Sequence, residues 1–449
     1  MSGGVFPGIH LTRAFDNQPQ HATIAETTNR QQFQQAGHPA KQKMSQKSLI
    51  LYLILWACVA AISSCKPPEE PPRSLDPDGL KVGAAVVDIT PDETVGMDLA
   101  GYGHRSSTGV HDPITARCLV IDDGNTEIAL IALDFSNLAY SAFKKAASEV
   151  GKASGIPAEH IFVHAIHTHS GPSLEYYGSH PKAYKELLQK ITQCVISAKN
   201  GKEQATAAIG KGTAVVDTIN RDYPDRKVEN DVNVIEFRDS EKEMIAVLVN
   251  FACHPVVLGP DNLLMSADYV HFLRESLEET LGGTAIFFSG SLGDINPQPV
   301  NRPYIMDRTG GTFEMARDLG NGIADGVRGA LQNPEPLPIE IKIAGKELKL
   351  REGKTKIAIL ALGDVWIVTI PGEPFSTFQQ ELESALPVSS LATKPLYFGL
   401  MYDRIGYIMP EDEWEAFIQR RPDEAHDDGG TWAATLESEY RLLADEMLK

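Results

Sequence analysis

The chain runs to 449 residues, enough to bury a sizeable core in one large domain or two ordinary ones. Its 41 Lys and Arg stand against 60 Asp and Glu, giving a net charge of -19 at pH 7. A surface so acidic repels a phosphate backbone, which argues against nucleic acid as a partner.

Residues 1–65 read as targeting sequence. Residues 1–43 are polar and rich in Gln, and Lys43, Met44 and Lys47 then introduce the apolar run Leu49 to Ile62. A run of about fourteen apolar residues after a basic patch fits the core of a signal peptide and falls short of the roughly twenty that span a bilayer. The basic segment lies far from Met1, so Met44 is the alternative start. The run ends in Ile62-Ser63-Ser64-Cys65, which resembles the small-residue-plus-cysteine box of bacterial lipoproteins. A lipid on Cys65 implies an exported protein attached to the bacterial cell envelope, with residues 66–78, opening on a proline-rich stretch, as a spacer from the membrane surface. An ordinary secretory signal with an incidental cysteine is the alternative. Cys118, Cys194 and Cys253 offer no CxxC pair and no disulfide framework, and are expected as core thiols.

From residue 79 onwards short β-branched runs alternate with helical patterns. Strands are predicted over Ala116 to Ile121, Glu127 to Leu133, His160 to Ile166, Val232 to Phe237, Met244 to Phe251, Ala285 to Phe288 and Ile357 to Ile370. Helices are predicted over Tyr140 to Ser154, Pro181 to Lys199, Val270 to Leu281, Thr312 to Leu331 and Pro374 to Leu386. Two of these open on proline, which suits a first helical position. This exchange predicts an α/β fold, a mixed β-sheet core with flanking helices in a single large domain over residues 79–449. Residues 333–350 are the one place where an internal seam would fall.

Four clusters carry chemistry. In HIFVHAIHTHS, residues 160–170, a strand would place His167 and His169 on one face and His164 on the other. Two imidazoles at a strand end make half a metal site, since zinc favours imidazole nitrogen; a structural histidine pair would present the same pattern. In Cys253-His254-Pro255 the proline stops an apolar strand just after the histidine and leaves the imidazole at an edge. A satisfied structural histidine is the alternative there. In Ile370-Pro371-Gly372-Glu373-Pro374-Phe375 one carboxylate sits on a tight turn, where it either serves a site or faces the positive end of the next helix. The glycine-rich segment Phe288 to Pro297 either directs backbone amides at an anion or is a packing turn. Its Ser291 does not lie in a GxSxG nucleophile elbow.

Together the segments VGAAVVDITP, AGYGHRSSTGVHDPITARCLVI, HAIHTHSGP, INRD, NFACHPVVLGPDNLLMSADY, FFSGSLGDINP, IPGEPF and YDRIGYIMP resemble, in content and order, the N-terminal catalytic domain of the neutral, non-lysosomal ceramidase family. What the resemblance implies is a zinc-dependent amidohydrolase with one zinc ion per chain. It implies metal ligands at the first histidine of HTH, the histidine of HP, the glutamate of PGE and the tyrosine of the GY turn, here His167, His254, Glu373 and Tyr407. It places His169 and Arg221 at substrate-facing positions, with Tyr407 or Arg221 stabilising an oxyanion and His169 protonating the departing amine. A zinc-activated water is the expected attacking group.

Two departures bear on the substrate. Where the family carries a serine in a GDVSPN-like segment, this chain has Asn296, which can donate a hydrogen bond but cannot form an acyl ester. The sequence also stops at Lys449, short of the immunoglobulin-like domain that the resemblance would carry, so weaker long-chain lipid recognition is expected. The leading expectation is hydrolysis of N-acylsphingosine or a related N-acyl substrate. Alternatives are a metal-dependent esterase or amidase for a smaller polar substrate, and a surface lipoprotein that binds ligand without catalysis.

Overall fold

The computed structural model describes residues 79–172, 174–298, 310–350, 353–387, 394–421 and 429–449. The leader, Cys65 and the linker expected over residues 66–78 lie outside the described residues. Residues 74–449 form one compact unit, with no division at residues 333–350. Among the described residues no helix is long and apolar enough to cross a membrane.

Three mixed sheets build the domain. The first has the strand order Ile161–Ala165, Glu127–Leu133, Thr115–Asp122, Lys81–Asp88 and Glu203–Gln204. The second runs Thr284–Ser289, Met244–Phe251, Asp231–Arg238, Thr206–Thr213 and Glu335–Pro336. These two sheets face each other across one apolar core, with helices Tyr140–Ser154 and Pro181–Asn200 covering the first and Tyr269–Leu281 and Phe313–Ala330 covering the second. Strands buried on both faces explain why residues 128–133 and 246–249 read as unbroken apolar runs. The third sheet, Ile341–Leu350, Gly353–Leu362, Val365–Thr369 and Leu396–Phe398, packs against the helix Gly429–Met447 around its own apolar cluster.

Each sheet contains a parallel pair joined by a helix: Glu127–Leu133 with Ile161–Ala165, Met244–Phe251 with Thr284–Ser289, and Val365–Thr369 with Leu396–Phe398. The carboxyl ends of these strands are stitched together. His164 spans them, its Nδ1 donating to Gly399 O at 2.9 Å and its Nε2 accepting from Ser289 N at 3.1 Å. Asn250 Nδ2 donates to Phe288 O and Tyr397 O, both at 3.1 Å. In open α/β sheets ligands bind beyond the carboxyl ends of parallel strands, and here three such ends open on one place.

The expected α/β class and single domain are as observed, and the five predicted helices fall within two residues of prediction, whereas the helices Glu411–Arg420 and Gly429–Met447 were not predicted. Pro181 opens its helix as predicted, but Pro374 does not. Glu373–Pro374 pairs instead with Tyr407–Ile408, and the helix starts at Ser376. The run Ile357 to Ile370 is also two strands rather than one, folded back at Gly363, whose φ of 59° is left-handed. Cys118, Cys194 and Cys253 are buried free thiols.

Candidate metal centre

His167 lies two residues beyond the end of its strand. The predicted strand-face reading of His167 and His169 is therefore incorrect in its reason, because the strand stops at Ala165 and His167 turns at a φ of 75°. A left-handed conformation is costly for a residue with a Cβ, and the surroundings enforce it. His167 N donates to Phe135 O at 2.9 Å, and Ser289 Oγ fastens the preceding carbonyl of Ile166 at 2.9 Å. The Phe135 segment is held in turn by Asp134, fully buried and bonded to both terminal nitrogens of Arg274 at 2.7 and 2.9 Å.

The ring of His167 is fixed through Nδ1, which donates to Ser136 O at 2.6 Å. That assignment makes Nε2 the lone-pair nitrogen, and it points at Glu373 Oε2, 3.2 Å away. His254 is built the same way: its Nδ1 donates to Ile295 O at 3.1 Å, and its Nε2 stands 3.2 Å from the same Glu373 oxygen. One ligand atom from each of His167, His254 and Glu373 lies within 4.8 Å of the others. A backbone carbonyl behind each imidazole selects the tautomer and the ring angle, the usual second support of a metal-ligating histidine.

Glu373 settles the alternative left open by its sequence. Its carboxylate turns to the histidines, and the anion at the start of the following helix is Asp294, which accepts from Ser376 N at 2.8 Å and Ser376 Oγ at 2.6 Å. Burial alone would raise the Glu373 carboxyl, but His167 and His254 hold it well below the usual carboxylate range. Burial, followed by Arg221, pushes His254 down to about 3. A deprotonated Glu373 carboxylate is the form that metal ligation requires.

Tyr407 arrives beside Glu373 through the backbone. The two residues are partners in a short parallel pairing, with Glu373 N donating to Gly406 O at 2.9 Å. The Tyr407 ring packs against Phe375 and Phe417 and lies under the Arg221 guanidinium, 5.1 Å from ring centroid to Cζ. Arg221 is buried, and its Nε and Nη2 donate to Gly293 O at 3.1 and 2.6 Å. His169 Nε2 is 3.3 Å from His167 Nε2, so this imidazole also looks into the cluster. Burial, then His167 and His254, keep it well below the ordinary histidine value.

Asn296 is fully buried in a ladder with Thr218–Asn220, opposite Ile219. Its neighbour Ile295 supplies the carbonyl that orients His254. The glycine-rich segment proves to be a packing turn, because the amides of Gly290, Leu292, Gly293 and Ile295 each donate to a backbone carbonyl. Its contribution runs the other way, through the Gly293 carbonyl that holds Arg221. Sequence reasoning missed Ser136, Phe135 and Ile295, which act through main-chain oxygens that no side-chain pattern announces.

The comparisons agree with this architecture. A family model described as neutral/alkaline non-lysosomal ceramidase, N-terminal, matches residues 80–302. Neutral ceramidase B of Dictyostelium discoideum is 21% identical over 262 residues, covering 50% of this chain and 36% of the relative's length. This chain thus spans little more than a third of that protein. Among solved structures, neutral ceramidase from Pseudomonas aeruginosa superposes with a TM-score of 0.69 at 16% identity, over 82% of this chain and 74% of the other. A ceramidase complexed with C2 gives a TM-score of 0.68 at 14% identity, over 82% and 75%. At such identities the structural likeness speaks for the fold.

Proposed function

Since residues 80–302 make this chain a member of the neutral/alkaline non-lysosomal ceramidase family, we propose that it is a zinc-dependent hydrolase that cleaves the amide bond of an N-acyl substrate, with an N-acylsphingosine as the first candidate. The observation that carries this reading is the meeting of His167, His254 and Glu373, each from the carboxyl edge of a different sheet, with both imidazoles locked at Nδ1. Two imidazoles, one carboxylate and an adjacent phenol fit zinc in donor type and number. When bound, zinc supplies Lewis acidity, polarising a carbonyl and acidifying water.

The chain's own residues divide the remaining work. Arg221 places a buried positive charge beside the ligand set, where an amide carbonyl gains negative charge as water adds to its carbon. His169, neutral at rest, takes a proton at Nε2 from the attacking water and returns it to the amide nitrogen as the C–N bond breaks, releasing acid and amine. Tyr407 completes the ligand set and backs the Arg221 guanidinium. Asn296 closes the route through a side-chain ester, so water is the attacking group. The same asparagine favours, as a second reading, a smaller and more polar N-acyl substrate.

Purified full-length chain loaded with zinc is expected to release free amine from a panel holding N-acylsphingosines and small polar N-acyl compounds. His167→Ala and Glu373→Gln are each expected to lose both zinc and turnover. Zinc-loaded protein that hydrolyses no member of the panel would defeat the reading in favour of a non-catalytic binding protein, and the preferred arm identifies the substrate class.

A further inference from the structure

His169 differs from its two neighbours in what orients it. The Nδ1 atoms of His167 and His254 are fastened to carbonyl oxygens, whereas Nδ1 of His169 is buried with no hydrogen-bond partner among the described residues. Something else must hold this ring. The segment from Ala100 to Arg105 is moulded on it: the Tyr102 ring meets the imidazole edge-on with centroids 4.8 Å apart, and a Cβ on Gly101 would stand 2.3 Å from His169 Cγ. Gly101 also has a φ of 98°, so no other residue fits there without displacing the imidazole.

The guanidinium of Arg105, 9% exposed, ties this segment to the rest of the site. Its Nη2 donates to Ala100 O at 2.6 Å and to the carbonyl of His169 itself. Its Nη1 donates to Asn262 O at 2.9 Å and reaches Gly259 O at 3.4 Å and Pro260 O at 3.5 Å, in the loop that follows His254. Its Cζ lies 4.8 Å from the centre of the Tyr102 ring. One planar fork thus joins three loops, a task suited to guanidinium and not to a point charge.

We propose that Arg105 is the positioning residue of the site: by bonding the His169 carbonyl, the Ala100 carbonyl and the loop after His254, it holds the His169 imidazole, walled by Gly101 and Tyr102, over the metal ligands. The inference rests on the hydrolytic reading given above. Arg105 touches none of the reacting atoms, so its effect falls on the geometry of proton transfer and leaves the independently fastened ligands His167, His254 and Glu373 in place.

The test compares full-length wild type, Arg105→Lys and Arg105→Met by zinc content, by kcat and KM, and by hydrogen exchange. Both variants are expected to retain one zinc per chain. Their kcat should fall roughly 10- to 100-fold with a smaller change in KM, the scale on which a displacement of about 1 Å acts. Exchange should rise in residues 97–105 and 167–171 and little elsewhere, with Lys no better than Met. Unchanged kcat and exchange in Arg105→Lys, the variant more certain to fold, would overturn the proposal, as would zinc loss in step with activity. Should wild type hydrolyse nothing, the hydrolytic reading falls, and the exchange pattern alone then decides whether Arg105 clamps these loops.

Discussion

At position 167 a histidine occupies a backbone conformation that costs most side chains on the order of 1–3 kcal/mol, and it does so at one of the proposed metal ligands. The cost is borne because Phe135, Ser136 and Ile166 fix the residue from three sides. Asp294 bears a comparable burden. Burial holds its carboxyl up to about 6 despite the bonds from Ser376 and Asn220 Nδ2. A folded value above the unfolded one, about 3.9, means that the native state binds more protons between the two, so the contribution of this group is fully present below about 3.9 and is lost as pH rises through 6. This one group contributes a fall of about 3 kcal/mol on that scale. Asp294→Asn is expected to flatten this limb, narrowing the difference in urea midpoint between about pH 4.5 and pH 7 relative to wild type. Parallel profiles for the two proteins would show that Asp294 is not the titrating group.

Among the elements, the helix Gly429–Met447 closes the third sheet, burying Leu436, Tyr440 and Ala444 fully and sending the Tyr440 hydroxyl to Thr369 O. Leu436→Ala should destabilise the domain by about 2–5 kcal/mol, as removal of a buried leucine side chain does. Chemical denaturation measures it, and zinc content should be unchanged because the helix supplies none of the ligands. A loss under about 1 kcal/mol would mean that the cluster repacks. The central helices were legible because their apolar residues recur at helical spacing. The fold-back at Gly363 was hidden inside an apolar run that continues on both sides of it, since buried strands lose the alternation that marks their ends. Pro374 misled for a related reason: a proline near a helix start suits both a first turn and a sheet edge, and the pairing with Tyr407 is a long-range contact. The four residues of the proposed metal set came from family resemblance; the residues alone left His167, His254 and Glu373 each with an ordinary structural explanation and did not single out Tyr407.

On the scale of the molecule, three parallel strand pairs bring their carboxyl edges to one spot, and the loops leaving them carry His167, His254, Glu373 and Tyr407. These residues are distant in sequence, so their meeting is a property of the assembled fold. A cation that binds only this assembled state also stabilises the domain, by an amount that grows with its concentration over its dissociation constant. The most direct test is an anomalous-scattering map collected at the zinc edge from crystals of the zinc-loaded protein. One peak per chain bonded to His167 Nε2, His254 Nε2, a Glu373 oxygen and the Tyr407 phenol oxygen is the expected result. A peak bound elsewhere, or none at this cluster while the protein carries stoichiometric zinc, would contradict it.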